Sequence, residues 1–120
     1  MKPVYQTTFD DRGNCLSACF ASILECPLEA VDFCCFDYPD SWCARACELL
    51  KPLGVAMVDF HMPGKLWYPP DAYYIASGNT TRHPERLHSV VYRNNALVHD
   101  PHPHGHGITT LAYLTFLVRL

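Results

Sequence analysis

The sequence is short of charge. Asp, Glu, Lys and Arg make up 18% of its 120 residues, and the nine Lys and Arg are scattered rather than gathered into a basic stripe. With a formal net charge of -3, nothing electrostatic recommends nucleic acid or an anionic membrane as a partner. No apolar run approaches the ~18 residues that a membrane span needs. The opening, Met1 to Thr8, lacks the apolar h-region of a secretory signal, so the expected compartment is the cytosol. No two cysteines have the C-x-x-C spacing of a redox motif or zinc knuckle. Repeats and linkers are also missing, and residues 1–120 read as one domain.

Cysteine, by contrast, is abundant: there are seven. An odd number cannot pair fully within one chain, and disulfides are rare in a reducing cytosol. Cys15 and Cys19, and again Cys43 and Cys47, are four apart, the spacing of neighbours on one helix face. Free cysteine usually behaves as a small buried hydrophobe, and that is the expectation for every cysteine except Cys15. Hydrophobic residues reach 49%, enough for a chain of this length to bury a core.

The first dozen residues read as an extended arm ending in a turn through Asp10 to Asn14. From Cys15 to Glu25 the chain is apolar nearly all round, which predicts a buried helix with Gly13-Asn14 at its cap. Pro27 ends it and opens a short helical turn reaching about Phe33. Asp40-Ser41 offers a cap for a second helix from Trp42 to about Lys51, with Ala44, Cys47 and Leu50 on its apolar face. Leu53-Gly54 closes that helix. The period then changes. Strands are expected over 55–60 and 72–76, separated by a proline-rich loop over 61–70, with a polar loop over 77–86. Residues 87–92 and 96–99 form the clearest strand pair, joined by Asn94-Asn95, and residues 109–118 supply a closing strand. Helices first and strands after is the α+β arrangement, with N-terminal helices packed on a mainly antiparallel sheet.

A cysteine in the first turn of a buried helix occupies a special position. Unpaired backbone N–H groups and the positive end of the helix dipole stabilise its thiolate, which is the nucleophilic form. Cys15 is placed that way. His88 opens an apolar strand, His88-Ser89-Val90-Val91-Tyr92, and Asp100 leaves the partner strand in Val98-His99-Asp100-Pro101. Singly, such a histidine is commonly structural and an Asp-Pro commonly a turn. The hairpin, however, brings His88 and Asp100 to the same end, and a nucleophile, a base and a residue that orients the base must converge from separate elements. Register adds a condition. With a plain two-residue turn, Asp100 faces Ser89 and points away from His88. A triad therefore requires an odd loop, or a bulge near the hairpin, with an asparagine in the left-handed region.

Cys15 at a helix start, His-x-Val-Val on a strand and Asp-Pro after the next strand resemble the papain-like cysteine peptidase superfamily. The double-glycine leader peptidases of bacteriocin exporters are a similar branch. More narrowly, Tyr5-Gln6-Thr7, Gly13-Asn14-Cys15, Ala21-Ser22-Ile23-Leu24 and Leu97 to Pro103 resemble a family of short uncharacterised bacterial and phage proteins. The resemblance spans Gln6 to about Gly107. It implies a minimal papain-like fold and a cysteine hydrolase acting on an amide, peptide or isopeptide bond of a peptide or protein substrate. Cys15 is then the nucleophile, His88 the base and Asp100 the orienting residue. Gln6, the only glutamine in the chain, is implied as donor to the oxyanion. It lies further upstream of the nucleophile than the family pattern, with an extra loop through Asp10 to Arg12 to absorb the difference. A papain-like module that binds a protein partner without catalysis is the competing expectation.

His99, His102, His104 and His106 cluster among prolines and glycines. Histidine clusters can hold a transition metal, but no local thiol or carboxylate completes a tetrahedral set. The segment is read as a loop beside the active site, with no metal and no cofactor. The cleft walls are expected from residues 61–68, which carry Trp67 and Tyr68, and from residues 77–83.

Overall fold

The computed structural model describes residues 1–61 and 66–120. The apolar run beginning at Cys15 forms helix α1, Cys15–Leu24, in which Ala18, Cys19, Phe20 and Ala21 are wholly excluded from solvent. A helix apolar on almost every face belongs in a core. Its two buried serines would be costly there if left unpaired. Ser17 Oγ exchanges hydrogen bonds with the Phe33 main chain, accepting at 3.1 Å and donating at 3.2 Å. Ser22 Oγ donates to the Ala18 carbonyl at 2.7 Å and accepts from the Val4 amide at 2.9 Å. The helix stops at Glu25, which takes a left-handed φ of 54°. The helical turn expected after Pro27 is only a 3-10 turn, Leu28–Ala30, and Pro27 is its extended cap rather than its first residue.

Helix α2, Trp42–Leu50, begins after Ser41 as the sequence predicts. Its buried stripe is different from the one expected. Ala46 and Leu50 are fully buried, and Trp42 and Leu49 pack against the same core, while Ala44, Cys43 and Cys47 are exposed. The larger apolar groups of Trp42, Leu49 and Leu50 outcompete Cys47 for the inward face, and Ala46 turns inward with them. Burial of the cysteines as core residues thus holds only for Cys19; Cys26, Cys34 and Cys35 are half-buried. A 3-10 turn, Lys51–Leu53, and the left-handed Gly54 (φ 71°) lead into the sheet.

Five strands follow: β1 (Val55–His61), β2 (Tyr74–Asn79), β3 (His88–Arg93), β4 (Ala96–His99) and β5 (Thr110–Arg119). They form one antiparallel sheet in the order β1-β5-β2-β3-β4. Helix α1 packs against β3 and α2 against β1. Strand alternation splits the apolar residues into two layers. Ile75 and Val91 join the helices in the main core, and Tyr74, Ala76, Val90 and Leu114 form a second cluster. The α+β class expected from the sequence is the one observed. No helix among the described residues is long and apolar enough to cross a membrane.

Strand β2 corrects the reading of residues 77–86 as a loop from its first residue. Ser77, Gly78 and Asn79 remain in the ladder. Their polar groups are satisfied: Ser77 Oγ and Ser89 Oγ are 2.8 Å apart, and Asn79 Oδ1 accepts from Thr110 Oγ1 at 2.8 Å. Gly78 is needed there, because a Cβ would lie 1.6 Å from the Thr110 carbonyl oxygen. The pairing of β2 with β5 shifts register at this point.

The β3–β4 hairpin decides the site. Arg93 faces Ala96 across Asn94 and Asn95, both left-handed at φ 53° and 61°, the signature of a tight primed turn. Tyr92 then faces Leu97, but Val91 faces His99, so Val98 is an extra residue. This is the bulge that the sequence argument required as the alternative to an odd loop.

Candidate functional site

Cys15 is the first residue of α1. The N-cap, Asn14, does not cap with its side chain, which leaves the first-turn amides free of that competitor. The side chain is turned to the N-terminal arm instead. Its Oδ1 accepts from the amides of Thr7 (2.9 Å) and Thr8 (3.1 Å), and Nδ2 donates to Thr7 Oγ1 (2.9 Å) and Asp32 Oδ1 (3.0 Å). The cap expected of Asn14 is therefore an anchor. One buried residue fixes both the arm that carries Gln6 and the turn that presents Cys15.

His88 and Asp100 meet as the bulge allows. His88 Nε2 lies 2.6 Å from Asp100 Oδ1, and both side chains are nearly sealed from solvent. Asp100 accepts two further bonds, from the His102 amide (2.9 Å) and the Gly107 amide (2.8 Å). With Nε2 occupied, Nδ1 is the ring nitrogen left for the thiol. The His88 imidazole and the amide and hydroxyl of Ser89 are the groups that lower the Cys15 thiol.

Burial works against all three charges, and local bonds overcome it. Desolvation would raise the Asp100 carboxyl, but His88 and the two amides hold it at about 2. Desolvation would lower His88, but Asp100 and Cys15 lift it to about 9. Desolvation would raise the Cys15 thiol, and His88 with Ser89 brings it below its usual value. The lowered thiol and the raised imidazole both run in the direction of a thiolate–imidazolium pair. Elsewhere burial wins: Cys19, Cys26 and Cys43 are raised, and Cys35 is pushed up to about 12.

Gln6 is buried and lines the same cleft as Cys15 and His88. Its backbone amide donates to the Pro101 carbonyl at 3.1 Å, and Nε2 donates one hydrogen to the Thr8 carbonyl at 2.9 Å. A carboxamide nitrogen carries two hydrogens, so one remains for another acceptor. The 3-10 turn Asp10–Arg12 takes up the chain between Gln6 and Cys15.

The cleft holds about 540 Å³. Ser77, Thr80, Arg82 and His83 line it, as the sequence predicts for residues 77–83. The described residues of the other expected wall are placed elsewhere. Trp67 and Tyr68 are each 92% exposed and do not line the cleft, while residues 62–65 of that expectation lie outside the described residues. The opposite wall is built by Phe33, Phe36 and Trp42, which no local pattern marks as wall residues. Ser89 is likewise invisible as a thiolate partner until β3 is set beside α1.

The histidine cluster divides by position. His99 Nε2 contacts the Val4 carbonyl at 2.8 Å and its ring packs edge-on against Tyr5, so it pins the arm. His102 lines the cleft, and its Nδ1 accepts from the His104 amide at 3.1 Å. Among the described residues, no three His, Cys, Asp or Glu side chains are grouped to hold a metal. No protein-family model, no curated protein and no solved structure matches this chain.

Proposed function

We propose that the protein is a papain-like cysteine hydrolase acting on an amide, peptide or isopeptide bond of a peptide or protein substrate. One observation carries the reading: a single buried imidazole is bonded through Nε2 to a carboxylate, leaving Nδ1 for a thiol at the start of a buried helix, on the wall of a cleft. The Cys15 thiolate attacks the substrate carbonyl carbon, and the carbonyl π electrons move to oxygen. The Cys15 backbone N–H and the second Nε2 hydrogen of Gln6 receive that oxyanion. The His88 imidazolium gives its Nδ1 proton to the leaving nitrogen, the C–N bond breaks, and a thioester to Cys15 remains. Neutral His88 then takes a proton from a water molecule that attacks the thioester carbonyl, the C–S bond breaks, the acyl group leaves as a carboxylic acid, and the thiolate and imidazolium are restored. Asp100 keeps the ring from rotating and stabilises its charged form. These side chains supply every proton and charge that the cycle needs, in a cytosolic setting.

Incubation with a mixed-sequence peptide library and with isopeptide-linked peptides, read by mass spectrometry, tests the proposal. Wild type is expected to release products and Cys15→Ala to lose at least about a thousandfold in rate. Undiminished cleavage by folded Cys15→Ala would overturn it.

A further inference from the structure

The rim of the cleft carries more charge than the chemistry above uses. Arg86 Nε lies 2.8 Å from Asp11 Oδ1, and Nη1 lies 3.9 Å from Asp10 Oδ1. The same Asp10 oxygen contacts His83 Nε2 at 2.8 Å. These four residues form one ion-pair cluster, in which Arg86 Nη1 has no hydrogen-bond partner of its own among the described residues. The remaining cleft carboxylate, Asp59, accepts the Thr115 hydroxyl. Arg82 is left over. It is half-buried and lines the cleft; among the described residues it forms no ion pair, and its Nη1 is sealed from solvent without a hydrogen-bond partner.

A guanidinium cannot shed its proton to escape this position. A charged donor in a cleft wall that pairs with no carboxylate of the protein is suited to an anion brought by a ligand. Arg82 shares the lining of the cleft with Cys15, His88 and His102. The His102 ring is 6.3 Å from that of His88, and the charge of Arg82 is felt at His102, whose imidazole it helps burial to lower.

We infer that Arg82 is the specificity-determining residue of the cleft and binds a carboxylate carried by the substrate close to the scissile bond. The inference rests on the reading of Cys15 as nucleophile. Carboxylates are the anions that peptides carry by themselves, and the planar guanidinium matches them with two parallel hydrogen bonds. Two sources fit: an acidic side chain next to the cleaved bond, or the terminal carboxylate of the peptide.

Haloacetyl probes test this without knowledge of the substrate, because they alkylate the nucleophile itself. N-bromoacetylglycine presents a terminal carboxylate and the α-amide of N-bromoacetylaspartate presents a side-chain one. The neutral control for each is the corresponding amide. The ratio of Cys15 alkylation rates, charged over neutral, is followed by mass spectrometry at pH 7. At least one charged probe is expected to react about tenfold faster than its control, and the larger ratio names the source. Arg82→Gln should remove most of that preference, and Arg82→Lys should keep part of it, since it retains the charge and loses the fork. Iodoacetate against iodoacetamide measures the pull of His88 alone and should respond less. Circular dichroism and continued protection of buried Cys19 report that each variant is folded. Rapid Cys15 alkylation with a ratio unmoved by Arg82→Gln would overturn the inference and leave the nucleophile in place. Slow alkylation by every probe, at the rate of an ordinary cysteine, would overturn both.

Discussion

Removing the His88 imidazole should move the whole pH profile of Cys15 alkylation, and the direction follows from opposing influences at the sulfur. Burial, the largest, raises the thiol, whereas His88 and Ser89 lower it. An ordinary thiol with pKa ~8.5 loses roughly 80-fold in thiolate between pH 8 and pH 6. Paired with imidazolium, Cys15 should lose at least about fivefold less over that interval. At the alkaline end the profile has a second feature. His88 gives up its proton near about 9, and the lone thiolate left behind is the stronger nucleophile, so the rate should rise again there. In His88→Ala the burial remains while the imidazole is gone, so one titration is expected, at or above that of an ordinary cysteine. Asp100→Asn removes the charge that sustains the imidazolium, so both edges of the plateau should move inward. Iodoacetamide alkylation in the folded protein from pH 5 to 10, resolved by residue after digestion, gives the measurement, with Cys43 and Cys47 as exposed controls. A folded His88→Ala protein whose Cys15 profile matched wild type would refute the coupling on which the proposed mechanism depends.

Cys19→Ala, one turn from Cys15 and fully buried, should cost roughly 1–2 kcal/mol in urea denaturation as a core truncation and leave Cys15 alkylation as it was. Asp100 is held at about 2 against an ordinary 3.8, so its contribution is present above the unfolded value and lost as pH falls through the folded one. Stability should drop by roughly 2 kcal/mol as pH falls from about 4 to about 2, and Asp100→Asn should flatten that limb in acid titrations followed by circular dichroism. Asn14→Ala removes three hydrogen bonds between the arm and the helix start and a fourth to Asp32, for a loss of about 1–3 kcal/mol. Hydrogen exchange should then speed up at Thr7 and Thr8, while the amides of α1 stay protected.

Where the signal is local, the sequence is easy to read. Helix α1 follows from a run apolar on every side, β3 and β4 from alternation around Asn94-Asn95, and the end of α2 from Leu53-Gly54. The errors share a cause. Ser77, Gly78 and Asn79 look like a loop because their polar groups and the bare glycine make sense only once β5 lies alongside. Cys47 looks inward on α2 until the bulk of Trp42 and Leu49 is set against the same core. The expected wall at Trp67 and Tyr68 fails for the same reason, since the wall actually used comes from Phe33, Phe36 and Trp42, outside any recognisable pattern.

The candidate site was more legible than its surroundings because geometry constrains it from two ends. Two strands joined by a two-residue turn place His88 and Asp100 on opposite faces, and only a slip of one residue reverses that. Val98 provides the slip. A bulge disturbs the ladder and leaves a residue unpaired, and this one precedes an aspartate that takes three hydrogen bonds. Two of those bonds come from backbone amides of the loop that follows, at His102 and Gly107. Asp100 is therefore fixed by the chain on its own side before it can fix His88, which is what an orienting residue requires. Had it been held by His88 alone, the ring and the carboxylate could rotate together, and neither would define where Nδ1 points. The same reasoning applies at the other end. Asn14 gives up capping α1 to hold the arm, so the residue that frees the helix start for a thiolate also brings Gln6 to the cleft. Both anchors sit one residue from a change of direction in the chain, where an ordinary propensity reading sees only a turn.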